Sequence, residues 1–225
     1  MADVPPPMTD ADVERTIAFF MELDRLKGVE RRNRLADGSR RENTAEHSWH
    51  LGMAALVFAG HATEPVDVAR AVAMALAHDI VEIDAGDTFA YDQGEQLASK
   101  VEREQAAADR LFGLLPDTTS RYLRELWDEY ERGDTPEARY VMAIDRMAPM
   151  LLNLAEGGTT WREHGITRDR VAERNGPHVE PVLPGVWARA RAALDAFDRP
   201  HSGRGVPGGS SPFTSRSPAT PPEAT

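Results

Sequence analysis

Apolar residues recur at intervals of three and four along almost every segment of the chain, which is the spacing of one face of an α-helix. No internal repeat of longer period is present. The pattern therefore predicts an all-α fold, built as a helical bundle. The predicted helices cover approximately Asp10 to Lys27, Asn43 to His61, Pro65 to Ile83, Glu95 to Leu115, Thr118 to Glu131, Pro136 to Gly157, Arg168 to Asn175 and Gly185 to Asp198.

Short-range signals mark several ends of these helices. Asn43 can accept a hydrogen bond from the first turn of the second helix while Glu46 reaches back to the amide of Asn43, and Thr9 with Asp12 can start the first helix in the same way. Gly86 follows the third helix and is expected to end it. These signals define the ends of helices more firmly than the apolar pattern alone does.

Other features of the pattern describe the core and the loops. Val13, Ile17 and Phe20 fall on one stripe of the first helix, and residues 28–42 are rich in Arg and lack a period, which predicts a basic loop. The tryptophans are expected to fill the core. They are Trp49, Trp127, Trp161 and Trp187.

The two ends of the chain differ from its middle in composition. Residues 1–8 contain a run of proline and are predicted to be a flexible leader, and residues 200–225 are rich in Pro, Gly and Ser, which predicts a disordered tail. The expected domain therefore covers residues 9–199.

Composition narrows the class of protein and of site. The 225 residues are 41% hydrophobic and 28% charged, as in a globular protein with one core, and no apolar run is long enough to span a bilayer, so we expect a cytoplasmic location and no membrane partner. Without cysteine, any metal must have nitrogen and oxygen ligands. The net charge of -11 argues against duplex nucleic acid as a partner but allows a small phosphorylated substrate.

Three polar positions share helix faces with apolar residues. Each lies on the same helix face as an apolar residue: His47 with Leu51, His78 with Ala75, and Asp145 with Val141. A buried carboxylate costs several kcal/mol unless it is paired or bound to a metal, and one divalent cation would satisfy these groups together. Taken alone, an inward His such as His47 is more often a hydrogen-bonded core residue than a ligand, a His78-Asp79 pair can occur by chance, and Asp145 could pair with its neighbour Arg146.

The combination resembles the HD-superfamily metal-dependent phosphohydrolases, and most of all their branch of 5′-nucleotidases that dephosphorylate nucleoside or deoxynucleoside monophosphates. The resemblance covers approximately Phe19 to Gly158 and rests on Glu46-His47-Ser48, His78-Asp79 with Glu82, Gly86-Asp87 and Asp145, in this order and spacing. It implies an HD-domain bundle, commonly a homodimer. It also implies one divalent cation, manganese, cobalt or a similar metal, bound by His47, His78, Asp79 and Asp145.

The resemblance also implies roles for residues around the metal. Attack of a metal-bound water on a phosphomonoester is the expected reaction. Glu82 is expected to orient that water or handle its proton, or else to hold a second cation with Asp87. Asp87 is expected to meet the sugar hydroxyl or to protonate the leaving alkoxide. Arg31 stands at the family's phosphate-binding arginine, although it could also be one solvated charge among several in a basic loop.

One residue departs from the family pattern. The bacterial deoxynucleotidases have Trp after the phosphate-binding arginine, whereas this chain has Arg32, which leaves the preference for base and sugar open. Two other functions stay in view. A phosphodiesterase acting on cyclic nucleotides would bring further His ligands for a second metal, and a non-catalytic nucleotide-binding protein would keep the fold without turnover.

Overall fold

The computed structural model of the chain describes residues 8–89, 91, 99–197 and 213. The predicted leader lies outside these residues except for Met8, and the predicted tail except for Phe213. The described part is an all-α bundle, as predicted. Its helices are α1 Asp10–Leu23, α2 Thr44–Phe58, α3 Val68–Ala77, α4 Glu82–Ala85, α5 Lys100–Phe112, α6 Asp117–Arg132, α7 Pro136–Ala155, α8 Thr159–Glu163, α9 Arg168–Val179 and α10 Pro184–Phe197.

Helix α7 runs through the middle of the bundle. Many of its side chains are buried, among them Val141, Ile144 and Met147, and they pack in the same cluster as Leu51 of α2 and Met74 of α3. Helices α2, α6, α7 and α10 begin and end within about three residues of the predicted limits. Helix α9 is longer than predicted, and α8 was not predicted. The first part of the helix predicted from Glu95 lies outside the described residues. Within the described ranges, no helix is both long and apolar enough to cross a membrane.

The prediction of an irregular basic loop was wrong. Strand β1, Glu30–Arg34, pairs antiparallel with strand β2, Arg41–Asn43, and the amide of Leu35 bonds the carbonyl of Arg40 where the chain turns back. The hairpin escaped detection because its strands consist of charged and amide residues, so neither shows alternating hydrophobicity. It brings Arg31 and Glu42 to the start of α2.

The first helix also differs from its prediction. The α-helix ends at Leu23 and continues as a 3₁₀-helix, Asp24–Gly28. Its buried side chain is Phe19, whereas the predicted stripe of Val13, Ile17 and Phe20 is exposed, Phe20 by 70%. The stripe is therefore apolar without being covered by the described part of this chain.

The predicted third helix is interrupted at its functional end. Helix α3 begins at Val68, capped by the side chain of Asp67, and the chain tightens into a turn after Ala77 before α4 begins. In that turn the amide of Glu82 bonds the carbonyl of Asp79, three residues back, at 3.0 Å. Gly86 then ends α4 with a φ of 73°, which glycine adopts readily.

Candidate metal centre

Three elements bring the predicted ligands together. His47 lies in the first turn of α2, just after a capping box formed by Asn43 and Glu46. His78 and Asp79 lie in the tight turn after α3, and Asp145 lies in the middle of α7. Both histidines are buried, as the sequence predicted.

The side-chain atoms converge on one point. His47 Nε2 lies 3.1 Å from Asp145 Oδ1, and single ligand atoms of His47, His78 and Asp145 all lie within 4.8 Å of one another. Asp79 adjoins this trio, with Oδ1 3.1 Å from His78 Nε2 and Oδ2 3.8 Å from His47 Nε2. The four residues expected from the resemblance thus form one cluster.

The donor set fits a divalent cation. His78 Nδ1 lies 2.9 Å from the carbonyl oxygen of Ala75, which favours the tautomer with the proton on Nδ1 and leaves Nε2 as a potential ligand. That Nε2 atom is buried and faces two carboxylate oxygens, Asp79 Oδ1 at 3.1 Å and Asp145 Oδ1 at 3.9 Å, as ligand atoms around a shared cation would. Two imidazoles and two carboxylates are ligands that manganese, cobalt and zinc accept.

The cluster is strongly charged. Burial alone would raise the pKa values of Asp145 and Asp79. The two histidines and Arg31 together outweigh burial and lower both pKa values, with His47 contributing most at Asp145 and His78 at Asp79. Burial and Arg31 lower the pKa of His47, which keeps this imidazole neutral. Burial opposes a charge on His78, yet the Asp79 carboxylate prevails and raises the pKa of His78 to about 9. A metal cation in the cluster would balance the negative charges of Asp79 and Asp145.

Arg31 lies inside the cluster rather than in solvent. Its Nη1 donates to Asp79 Oδ2 at 2.9 Å, and the same nitrogen lies 3.9 Å from Asp87 Oδ1. Burial disfavours the guanidinium charge, but Asp79 and its neighbouring carboxylates raise the pKa of Arg31. Arg31 is thus a buried cation beside the candidate metal position.

Glu82 and Asp87 border the cluster. Thr44 Oγ1 donates to Glu82 Oε2 at 2.8 Å, and burial together with the charge of Asp79 raises the pKa of Glu82. Burial also raises the pKa of Asp87, which faces Arg31. Both acids can therefore hold a proton at a higher pH than an exposed carboxyl group can.

Glu42 and Tyr130 complete the cluster, and sequence reasoning missed both. Glu42 is 2% exposed, and its Oε2 lies 3.7 Å from both His47 Nδ1 and Arg31 Nε. Burial raises the pKa of Glu42 to about 7. Tyr130 Oη donates to Asp145 Oδ2 at 3.2 Å. Glu42 belongs to a strand that the apolar pattern does not reveal, so no signal in the sequence pointed to it.

An open cleft lies beside the cluster, with Asp87 and Asp145 in its lining. Aromatic, amide and cationic side chains form its other walls. They include Asn33, Phe89, Tyr91, Asn153, Trp161 and Arg174. A ligand in this cleft would lie beside Asp145, one of the candidate metal ligands.

Known proteins provide an independent comparison. The sequence profile described as "HD domain" matches residues 23–187. The 5′-deoxynucleotidase HDDC2 of Bos taurus is 30% identical over 84% of this chain and 90% of its own length, and that of Homo sapiens is 29% identical over 90% and 100%.

A solved structure agrees with these matches. A predicted metal-dependent phosphohydrolase from Magnetospirillum magnetotacticum MS-1 is 44% identical, with a TM-score of 0.78 over 84% of this chain and 97% of the other. From the profile, the relatives and this cluster together, we conclude that the chain belongs to the HD domain family.

Proposed function

We propose that this chain is a metal-dependent phosphomonoesterase that releases phosphate from a nucleoside or deoxynucleoside 5′-monophosphate. The observation that carries the proposal is the convergence of His47, His78 and Asp145 within 4.8 Å, with Asp79 adjoining, beside an open cleft. The names of the relatives, 5′-deoxynucleotidase and metal-dependent phosphohydrolase, support the same reaction.

In this proposal, His47, His78, Asp79 and Asp145 hold one divalent cation, manganese, cobalt or a similar metal. Such a cation supplies Lewis-acid chemistry, because it lowers the pKa of water and offsets charge on phosphoryl oxygens. Tyr130 keeps one carboxylate oxygen of Asp145 engaged, so that the other faces the imidazoles. A second cation would have to lie near Glu82 and Asp87.

The remaining residues bind phosphate and move protons. The Arg31 guanidinium neutralises the transferred phosphoryl group. A water oxygen attacks phosphorus, the bond from phosphorus to the 5′ oxygen breaks, and the leaving alkoxide takes up a proton. Glu82 accepts the proton of the water, and Asp87 donates to the alkoxide or bonds the sugar, since both acids have raised pKa values. In this proposal the nucleoside lies in the adjoining cleft, and the enzyme acts on nucleotides in the cytoplasm.

The experiment is a phosphate-release screen over nucleoside monophosphates and sugar phosphates, with chelated protein to which Mn²⁺ or Co²⁺ is added back. We expect release from nucleoside 5′-monophosphates only with the metal. Asp79→Ala and Asp145→Ala should abolish release, whereas Asp169→Ala, which removes an exposed carboxylate from α9, should not. Full activity in the first two variants would contradict the ligand assignment.

The two rival functions predict other results. A phosphodiesterase would cleave cyclic nucleotides, but the cluster contains two imidazoles among the described residues, fewer than a two-metal site of that kind usually has. A non-catalytic protein would bind nucleotides without turnover. The buried Nε2 of His78, which faces the carboxylates of the cluster, favours a metal-loaded enzyme over the non-catalytic protein.

We also propose that the chain is a homodimer. Helix α2 exposes Trp49, Met53 and Leu56 along one stripe, although tryptophan was predicted to lie in the core, and Trp49 is 65% exposed. Leu76 of α3 is also exposed. It lies beside this stripe, since its Cδ2 is 3.4 Å from the point where a Cβ on Gly52 of α2 would be. An apolar face of this kind is typical of a protein interface.

A further inference from the structure

Three arginines in the cleft wall have no acidic partner. Most arginines of the described chain pair with a carboxylate, as Arg31 does with Asp79. Within the described residues, the guanidinium groups of Arg32, Arg146 and Arg174 lie within 4 Å of no carboxylate, and Arg146 Nε is buried without a hydrogen-bond partner. In a chain with a net charge of -11, three unpaired cations around one cleft indicate an anionic ligand.

Arg146 and Arg174 both line the cleft, and their positive charges repel each other. Arg146 follows Asp145 on α7 and Arg174 lies on α9, and burial together with the charge of Arg146 lowers the pKa of Arg174. Arg32 and Arg174 contact aromatic rings instead of acids, at 5.2 Å from the centroid of Phe89 and 5.4 Å from that of Tyr91. An anion between the guanidinium groups would remove the repulsion and complete their hydrogen bonds.

This cationic group is separate from Arg31. The charge of Arg31 acts on Asp79, Glu82 and Asp145, which are the groups around the candidate metal. The charge of Arg146 reaches Tyr130 of the cluster as well as Tyr91, Arg174 and His178, but among the described residues neither Arg146 nor Arg174 forms an ion pair with Asp79, Asp87 or Asp145. Because the reacting phosphate would lie with Arg31 and the metal ligands, Arg146 and Arg174 remain for another anion.

We propose that Arg146 and Arg174, assisted by Arg32, bind a second phosphate group of the substrate, which is not hydrolysed. The inference rests on the proposed function and names its substrate class, nucleotides with one phosphate on the 5′ oxygen and another on the sugar. Two or three guanidinium groups match the charge and oxygen geometry of a phosphate dianion. Only the 5′ ester bond breaks, and the second phosphate leaves unchanged with the nucleoside.

The experiment compares 2′-deoxyadenosine 5′-monophosphate with 2′-deoxyadenosine 3′,5′-bisphosphate in the Mn²⁺-loaded enzyme. We expect kcat/KM for release of the 5′ phosphate to be at least about tenfold higher for the bisphosphate, as one charged hydrogen-bonded contact provides. Arg174→Gln and Arg146→Gln should abolish this preference, so that the two nucleotides are hydrolysed with equal kcat/KM. Arg189→Gln, which removes an exposed charge on α10, is the control and should keep the preference.

Calorimetric binding to chelated protein provides a readout without turnover. The bisphosphate should bind about tenfold more tightly than the monophosphate to wild type and equally to Arg174→Gln, while Arg174→Lys, which keeps the charge, should be intermediate. Turnover of both nucleotides at equal kcat/KM would overturn the second-phosphate site and leave the proposed function intact. If neither nucleotide is hydrolysed, the proposed function fails, and equal binding of both would then overturn this inference as well.

Discussion

At the scale of single residues, the candidate centre depends on how its imidazoles are oriented. The carbonyl of Ala75 orients His78, and Glu42 Oε2 lies 3.7 Å from Nδ1 of His47. Groups that orient ligand histidines strengthen metal binding because they fix the ring and its tautomer. Glu42 also faces Arg31, so one buried carboxylate contacts both a metal ligand and the candidate phosphate-binding residue.

We therefore expect Glu42→Gln to weaken the affinity for Mn²⁺ by about 10- to 100-fold. The variant keeps the shape of the side chain but removes the charge that faces His47 and Arg31. Isothermal titration of chelated protein with Mn²⁺ gives the affinity. Glu30→Gln, an exposed position on the paired strand, is the matched control and should bind Mn²⁺ as wild type does. Equal affinities in both variants would show that Glu42 does not orient His47.

At the scale of secondary-structure elements, helix termini position the ligands. His47 follows the capping box of α2, and His78 and Asp79 occupy the turn between α3 and α4. A change at one of these termini should therefore affect metal binding, whereas an equal change at a distant terminus should affect stability alone.

Asn43→Ala should lower the free energy of unfolding by about 1 kcal/mol, because the helix loses its cap. It should also weaken Mn²⁺ binding, since the first turn of α2 carries His47. Thr167→Ala removes the cap of α9, which lies away from the cluster, and should cost a similar stability without changing the affinity. Urea unfolding and metal titration separate the two effects. Unchanged Mn²⁺ affinity in Asn43→Ala would mean that the cap does not position His47.

The same scale shows what could be predicted from the sequence. Apolar periodicity and capping residues located α2, α6 and α7 because helix formation there follows from local patterns. The β-hairpin lacked such a pattern, and so Glu42 was missed. The turn at His78 was also missed, because the apolar residues continue through it while the hydrogen bonds tighten to a three-residue spacing. The inward placement of His47 and Asp145 was predictable, whereas their 3.1 Å contact depends on tertiary packing.

At the scale of the whole molecule, the candidate metal connects parts of the chain that are far apart in sequence. Its ligands come from α2, the turn after α3, and α7, and α7 is the central helix of the core. A cation that binds all of them stabilises only the folded state.

Metal binding should therefore raise the unfolding temperature of the chelated protein. At a free Mn²⁺ concentration of 100 times Kd, the expected gain is about 2.7 kcal/mol. Differential scanning calorimetry over a series of Mn²⁺ concentrations measures it, and Asp145→Ala should lose most of the gain. A gain of the same size in that variant would indicate a metal site elsewhere.

Self-association should depend on the exposed face of α2. Met53→Asp introduces a charge at the stripe of Trp49 and Leu56 and should convert a dimer into a monomer of about 24.8 kDa. Val101→Asp, at an exposed apolar position on α5, is the matched control and should leave the dimer intact. Light scattering coupled to gel filtration gives the mass. A monomeric wild type, or a dimer that survives Met53→Asp, would contradict the proposed interface.

The most direct test of the candidate centre is an anomalous difference map from crystals grown with Mn²⁺. We predict one strong peak within bonding distance of Nε2 of His47 and His78 and of carboxylate oxygens of Asp79 and Asp145. A peak that none of these four residues contacts, or a map without a peak at the cluster, would contradict the account.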